Sequence, residues 1–357
     1  KSELPFLLLF NDKEEAAYYL NDLENLINDQ DVLFYPSSYR RPYQIEETDN
    51  ANILLRAEVL NRINSRKKPS IIVTYPEALF EKVVTRKELD KNTLKVAVAD
   101  QISIDFINEV LFEYNFKRVD FVSEPGEFSV RGGIIDVFSF SNDNPYRIEF
   151  FGNEVDSIRT FDVETQLSLE KQKKISIIPN VENKFLQENR ESFLNYITPK
   201  TVLFVQETEM VLSQFDKLFD KATEAFGKLS GDIKHASPDE LFINQSSFVK
   251  KALDFSIVEI GLKSIFKSEK TIEFHTKPHP SFNKQFDLLL NDLNENHFNG
   301  IKNYLFCSNE NQANRFHDIF ESIDEENHED IRKQYHTVVQ PLYQGFIDEE
   351  HQVACYT

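Results

Sequence analysis

The chain has 357 residues, 40% of them hydrophobic and 28% charged, and carries a formal net charge of −20. That length calls for two or three domains, because one hydrophobic core rarely serves more than about 250–300 residues. The acidic balance excludes broad, non-specific binding to DNA or to an anionic membrane, which needs a positive field, and leaves room only for a local basic patch.

With 32 Phe, one Met and no Trp, the core must rest largely on phenylalanine. Cys307 and Cys355 are the two cysteines, and their spacing suggests neither a zinc site nor a disulfide framework, so a reducing cytoplasm is expected. The longest apolar run, Pro5 to Phe10, is too short to span a bilayer and reads as a buried strand. No charged segment precedes it, so it is not a signal peptide, and no membrane partner is expected. The chain starts without Met, almost on a strand, and stops on an apolar run, Val353 to Tyr356; a piece of a longer protein is expected.

In chain order, Phe6–Phe10 reads as a strand and Lys13–Ile27 as a helix opened by the capping pair Asn11-Asp12. Val32–Tyr35 (strand), Ile53–Ile63 (helix), Ser70–Thr74 (strand), Pro76–Val83 (helix, Pro in its first turn) and Leu94–Val98 (strand) follow. This alternation predicts a mainly parallel, helix-covered sheet. From about Ile104 the pattern changes: one helix to Tyr114, a run Arg118–Val122, then strands Glu127–Val130, Ile134–Phe138, Tyr146–Phe151 and Val155–Phe161. Gly152-Asn153 between the last two is a two-residue hairpin signal, and Pro179 closes the segment. Strands Thr201–Val205 and Ser256–Glu259 are placed to complete the first sheet, which makes that domain discontinuous.

Lys277-Pro278-His279-Pro280 reads as a linker. Beyond it come helix Phe282–Leu293, strand Tyr304–Cys307, helix Asn311–Ile323 and an acidic solvated loop, Asp324 to Asp330. The expected organisation is α/β: one domain from residues 1–100 plus 180–276, an inserted α+β domain over 101–179, and a small α/β domain over 281–357.

The most informative stretch runs from Gly126 to Phe138 and continues at Tyr146 to Gly152. Side chains alternate between faces of a strand, so Tyr146, Ile148 and Phe150 share an inward apolar face while Arg147, Glu149 and Phe151 share the other. The turn pairs Phe150 with Val155 and Phe151 with Glu154. An Arg beside an exposed Phe is the composition of a binding hot spot. Arg131, just before Gly132-Gly133, joins that surface if a bulge or bend aims it there. The competing reading makes Phe151 a core residue and pairs Arg147 with Glu149 on the surface.

Other stretches are weaker. Tyr35, Tyr39 and Tyr43 interleave with Arg40 and Arg41, and from Tyr39 to Lys68 seven Lys or Arg face four Asp or Glu. Tyr39, Arg40 and Arg41 are therefore candidate DNA contacts, set against a Pro-punctuated loop whose tyrosines cover the sheet edge. His275 and His279 lack the companions of a metal set, and no Gly-x-Ser-x-Gly turn supports a serine nucleophile.

Gly126 to Phe138 and Pro145 to Asp162 (PYRIEFFGNEVDSIRTFD) resemble the module shared by the excision-repair subunit UvrB and the transcription-repair coupling factors. Phe34-Tyr35-Pro36, Ile71 to Leu79 and Thr165-Gln166-Leu167-Ser168 resemble the coupling-factor family more than UvrB. The resemblance implies a docking site for UvrA, with Arg131, Arg147 and Phe151 carrying the contact and Glu149 and Arg159 as neighbours. It also implies that the first domain is a degenerate helicase domain, and that RNA polymerase, DNA, ATP and magnesium are engaged by other parts of a full-length translocase.

No Gly-x-x-x-x-Gly-Lys-Ser/Thr phosphate loop is present; Gly227-Lys228-Leu229-Ser230 lacks the upstream Gly and strand. Asp348-Glu349-Glu350-His351 resembles an acidic helicase box but reads as a turn before the Val353 strand. The chain is therefore expected to be non-catalytic and without a cofactor of its own. The alternatives are an excision-repair helicase fragment that binds damaged DNA, as UvrB does, and a nucleic-acid module using Tyr35 to Lys68.

Overall fold

The structure, a computed structural model, describes residues 4–27, 32–38, 43, 50–65, 69–140, 142, 144–179, 190–229, 236–323 and 333–357. The chain is α/β and divides into two compact units, Lys1–Ala16 with Leu33–Phe266, and Ala17–Val32 with Lys267–Thr357.

The first unit is founded on a five-stranded sheet in the order Ser256–Ile260, Val202–Gln206, Phe6–Leu9, Ile71–Thr74, Val32–Tyr35. Phe6 pairs in parallel with Val202 on one side and Ile71 on the other, so early and late parts of the chain share one sheet. Its inner strands Phe6–Leu9 and Ile71–Thr74 are short apolar runs, while the edge strand Ser256–Ile260 is largely exposed. Helix Thr208–Gly227 buries Val211, Leu212, Phe215 and Ala222 along one stripe, and Phe215 stacks on Phe248 with ring centroids 4.6 Å apart. Helix Lys13–Leu26 starts where expected because the Asp12 carboxylate accepts from the Glu15 N–H at 2.9 Å.

Between the two halves of that sheet, the chain builds a second sheet of six strands. Their order is Ser168–Gln172, Glu154–Phe161, Tyr146–Phe151, Ile134–Val137, Glu127–Arg131 and Lys117–Arg118. Helix Ile104–Glu113, capped by Ser103, buries Ile107 and Leu111 and sets Phe112 edge-on to Phe128 at 5.2 Å. The inward face of the sheet carries Phe128, Ile135, Val137, Tyr146, Ile148, Val155 and Ile158, all buried. The polar side chains of the alternating pattern are left on the other face.

Several expectations are corrected. Leu94–Ala97 does not join the parallel sheet; it pairs antiparallel with Lys174–Ile177, with Val96 opposite Ile175. The helix from Pro76 stops at Phe80, because Glu81 turns extended and directs its buried carboxylate at the Ser38 N–H and hydroxyl. Val83–Val84 is then a short strand paired with Arg190–Glu191. Of the run Arg118–Val122 only Arg118 is strand, as the second residue of Lys117–Arg118. Helix Arg86–Lys91 and strand Ser168–Gln172 had no expectation.

The second unit holds a sheet ordered Thr276–Pro278, Phe346–Asp348, Val353–Tyr356, Lys302–Cys307, Tyr335–Val339. Lys277-Pro278 is thus an edge strand instead of a linker, and an edge tolerates a proline that donates no hydrogen bond. The following helix spans Phe286–Phe298 instead of starting at Phe282, because Asn283 and Lys284 take left-handed backbone angles (φ 48° and 67°). Leu289, Leu290, Leu293, Leu305, Phe320 and Ile347 form its core. The stretch Asp324 to Asp330 lies outside the described residues. No helix among the described residues is long and apolar enough to cross a membrane.

Candidate partner-binding face

The outward face of the six-stranded sheet is set by its register. Ser129, Asp136, Arg147 and Arg159 lie opposite one another across four strands, and Arg131, Ile134, Glu149 and Ser157 form the next row. Arg131, Arg147, Glu149 and Arg159 are therefore brought onto one surface. Phe151 follows two residues after Glu149 on the same face.

Asp136 is the hub, a carboxylate only 1% exposed. It accepts from Arg147 Nε at 2.7 Å and from Arg147 Nη2 at 2.9 Å, and its Oδ2 also pairs with Arg131. Such two-pronged, charge-assisted bonds fix a guanidinium in place. The Asp136 carboxylate also raises the Arg147 pKa above its ordinary value, so this group stays charged at any working pH. Arg147 donates further to the Gln166 carbonyl at 3.3 Å, and its Cζ lies 4.5 Å from the centre of the buried Phe161 ring. The Arg147 side chain is 17% exposed against 42% for Arg131, so the two arginines differ in role. Arg147 is largely a frame; Arg131 reaches into solvent.

Glu149 accepts from the Ser157 hydroxyl at 2.7 Å and pairs with Arg159. The Arg147–Glu149 pair of the competing reading does not form. Residues two apart on a strand are farther apart than cross-strand neighbours, and those neighbours take the bonds. The Ser157 hydroxyl, and after it Arg159, hold the Glu149 carboxyl below its ordinary pKa of 4.5. A depressed carboxylate stabilises the fold above the unfolded value and loses that contribution as pH falls through the folded one. Glu149→Gln should therefore lower the stability slightly at pH 7, by no more than about 1 kcal/mol for so open a pair. The gap from the parent should narrow as the pH falls below the ordinary value of 4.5 and vanish once the carboxyl is protonated in both states, and a gap that stays constant with pH would contradict this assignment.

Phe151 is 85% exposed, which overturns its reading as a core residue. It stands at the last position of its strand, opposite Glu154, and Gly152 supplies the positive φ of 63° that the tight turn requires. Arg131 likewise needs no bulge: it pairs with Ile134 across a tight turn at Gly132, φ 60°. Sequence reasoning missed Asp136 as the organising group. It alternates outward between buried Ile135 and Val137, but the connection from Val137 to Tyr146 is too long to reveal that Arg147 lies opposite.

The remaining candidates fall elsewhere. Tyr39, Arg40 and Arg41 lie outside the described residues. Two other members of that basic stretch are consumed by the fold. Tyr35 is buried and stacks on Phe193 at 4.1 Å, with the Arg56 guanidinium 4.4 Å from its ring; Arg56 is itself buried and bonds the Pro36 carbonyl at 2.8 Å. Gly227 ends a helix, whereas a phosphate loop precedes one. Asp348 to His351 is a tight turn in which the Asp348 carboxylate accepts from the His351 N–H at 3.0 Å. No group of three or more His, Cys, Asp or Glu among the described residues is placed to hold a metal ion.

Comparison with known proteins defines a class for this face. Residues 94–182, which contain all of it, match the family model of the UvrB interaction domain. The chain is also similar to transcription-repair-coupling factors: 35% identical to that of Bacillus subtilis over 176 residues, 49% of this chain and 15% of the relative. Those of Haemophilus influenzae (30% over 164 residues, 46% and 14%) and Escherichia coli (29% over 175 residues, 49% and 15%) are similar to it as well. These matches bear out the resemblance drawn from the motifs and are consistent with the front region of that family. The matched stretch is about half of this chain but only about 15% of each relative's length.

Proposed function

We propose that this chain is a non-catalytic, UvrB-like module that binds UvrA through the Arg131, Arg147 and Phe151 face, with Glu149 and Arg159 at its margin. Its role is to recruit nucleotide excision repair in the cytoplasm to RNA polymerase stalled on damaged DNA. Polymerase and DNA are contacted by the rest of a longer parent, whose motor domains use ATP and magnesium. The observation that carries this reading is Phe151: a bulky ring held out into solvent at the end of a strand, on the same sheet face as the two arginines that share the buried Asp136, inside the segment that matches the UvrB interaction domain.

A second observation supports the non-catalytic part. In a helicase-like parallel sheet, nucleotide phosphates rest on the helix N-terminus that follows the first strand. Here that helix opens with Asp12, Glu14 and Glu15, and Asp12 already occupies the Glu15 N–H. Gln206 donates to Glu15 at 2.7 Å and Gln214 to the Asn11 carbonyl at 2.8 Å, filling the space with carboxylates and amides. An incoming phosphate would meet like charge. The domain is thus read as a helicase fold that has lost its nucleotide site.

The test is titration calorimetry of the chain against purified UvrA, with duplex DNA and magnesium-ATP titrated in parallel. Saturable heat with UvrA and none with ATP is expected. Heat with duplex that falls steeply with salt, and none with UvrA, would overturn the proposal in favour of a DNA-binding helicase fragment.

A further inference from the structure

Phe121 is 66% exposed, yet its backbone is fixed on both sides. The carbonyl of Asp120 accepts from the Ser129 hydroxyl at 3.1 Å. On the other side, Val122 is buried with Phe138 and Phe161 in an apolar cluster that Val119 and Val163 complete. The next two N–H groups, of Ser123 and Glu124, donate to the Glu127 carboxylate at 3.0 and 3.1 Å. A ring held out on so constrained a segment loses little further freedom when a partner covers it.

A single exposed phenylalanine needs no explanation. Phe121 is different because of what it touches. Arg131 Cζ lies 5.2 Å from its ring centre, while the same guanidinium pairs with the buried Asp136. Arg131 is therefore held between an aromatic ring and a carboxylate and still presents donors to solvent. Arg147 is held in the same way, between Asp136 and the Phe161 ring, but Phe161 is fully buried. The two halves of this arrangement share a plan: one carboxylate, two arginines and a ring behind each. The inner ring is sealed in the core. The outer ring, Phe121, is open.

We infer that Phe121 is a second aromatic anchor of the partner contact, acting with Arg131 as a composite that engages an acidic group at the rim of an apolar seat on UvrA. The inference rests on the UvrA-binding reading above. It extends the contact from the Gly152 turn, where Phe151 stands, across the sheet to the loop before strand Glu127–Arg131.

The test is calorimetry against UvrA with the unaltered chain and with Phe121→Ala, Phe121→Asp and Phe121→Lys, each variant checked by thermal melting. Phe121→Ala should weaken binding about tenfold, equal to about 1.4 kcal/mol, with a melt unchanged from the parent. Phe121→Asp should weaken it further than Phe121→Lys, because a carboxylate there repels an acidic partner and competes for Arg131. Unchanged affinity in Phe121→Ala, with the parent still binding, would overturn this inference and leave the UvrA reading standing. Failure of the parent to bind UvrA would overturn both.

Discussion

Phe151→Ala should abolish most of the affinity for UvrA without moving the melting temperature. The ring is 85% exposed at the end of its strand, so truncation creates no cavity and exposes no polar group. Surface changes of this kind shift stability by no more than about 0.5 kcal/mol. A central aromatic anchor of an interface costs about 2–4 kcal/mol when cut to alanine, roughly a thirtyfold to thousandfold loss of affinity. Gly152 and the pairing of Phe151 with Glu154 keep the turn intact in the variant. A melt lowered by several degrees with affinity preserved would mean that the ring serves the fold.

Arg147→Ala should behave differently, although Arg147 lies on the same face. Asp136 is buried and relies on Arg147 for two of its hydrogen bonds. Removing that partner leaves a carboxylate out of water with Arg131 alone. Breaking a buried pair costs about 3–5 kcal/mol, and the remaining arginine should hold the loss near the lower end, about 3 kcal/mol. For a unit of this size that corresponds to a fall of roughly 6–12 °C in the melting temperature. Arg131→Ala, with its more exposed side chain, should melt closer to the parent while still weakening the partner contact. Equal melts for Arg147→Ala and the parent would show that Asp136 is not the hub described here.

The sequence made the outward face legible because a strand forces alternation. Tyr146, Ile148 and Phe150 point in, Arg147, Glu149 and Phe151 point out, and Gly152-Asn153 fixes the register with the following strand. What stayed hidden depended on contacts between segments without a short turn to tie them. Asp136 meets Arg147 across a long connection, and Phe121 meets Arg131 from a loop that follows the strand end at Arg118 and that no short turn ties to Arg131. The same limit explains Leu94–Ala97: its apolar alternation signals a strand, but nothing local reveals that its partner is Lys174–Ile177. In the second unit, the two prolines concealed an edge strand, because Pro278 removes one donor without preventing pairing through the rest of the segment.

Hydrogen exchange of the chain, free and with saturating UvrA, locates the contact without altering any side chain. Slowed exchange is expected at the turns beside Arg131 and Phe151 and in the loop around Phe121, while residues 267–357 exchange as in the free chain. Protection confined to residues 267–357, or to the parallel sheet, with none at these turns, would contradict the proposed contact.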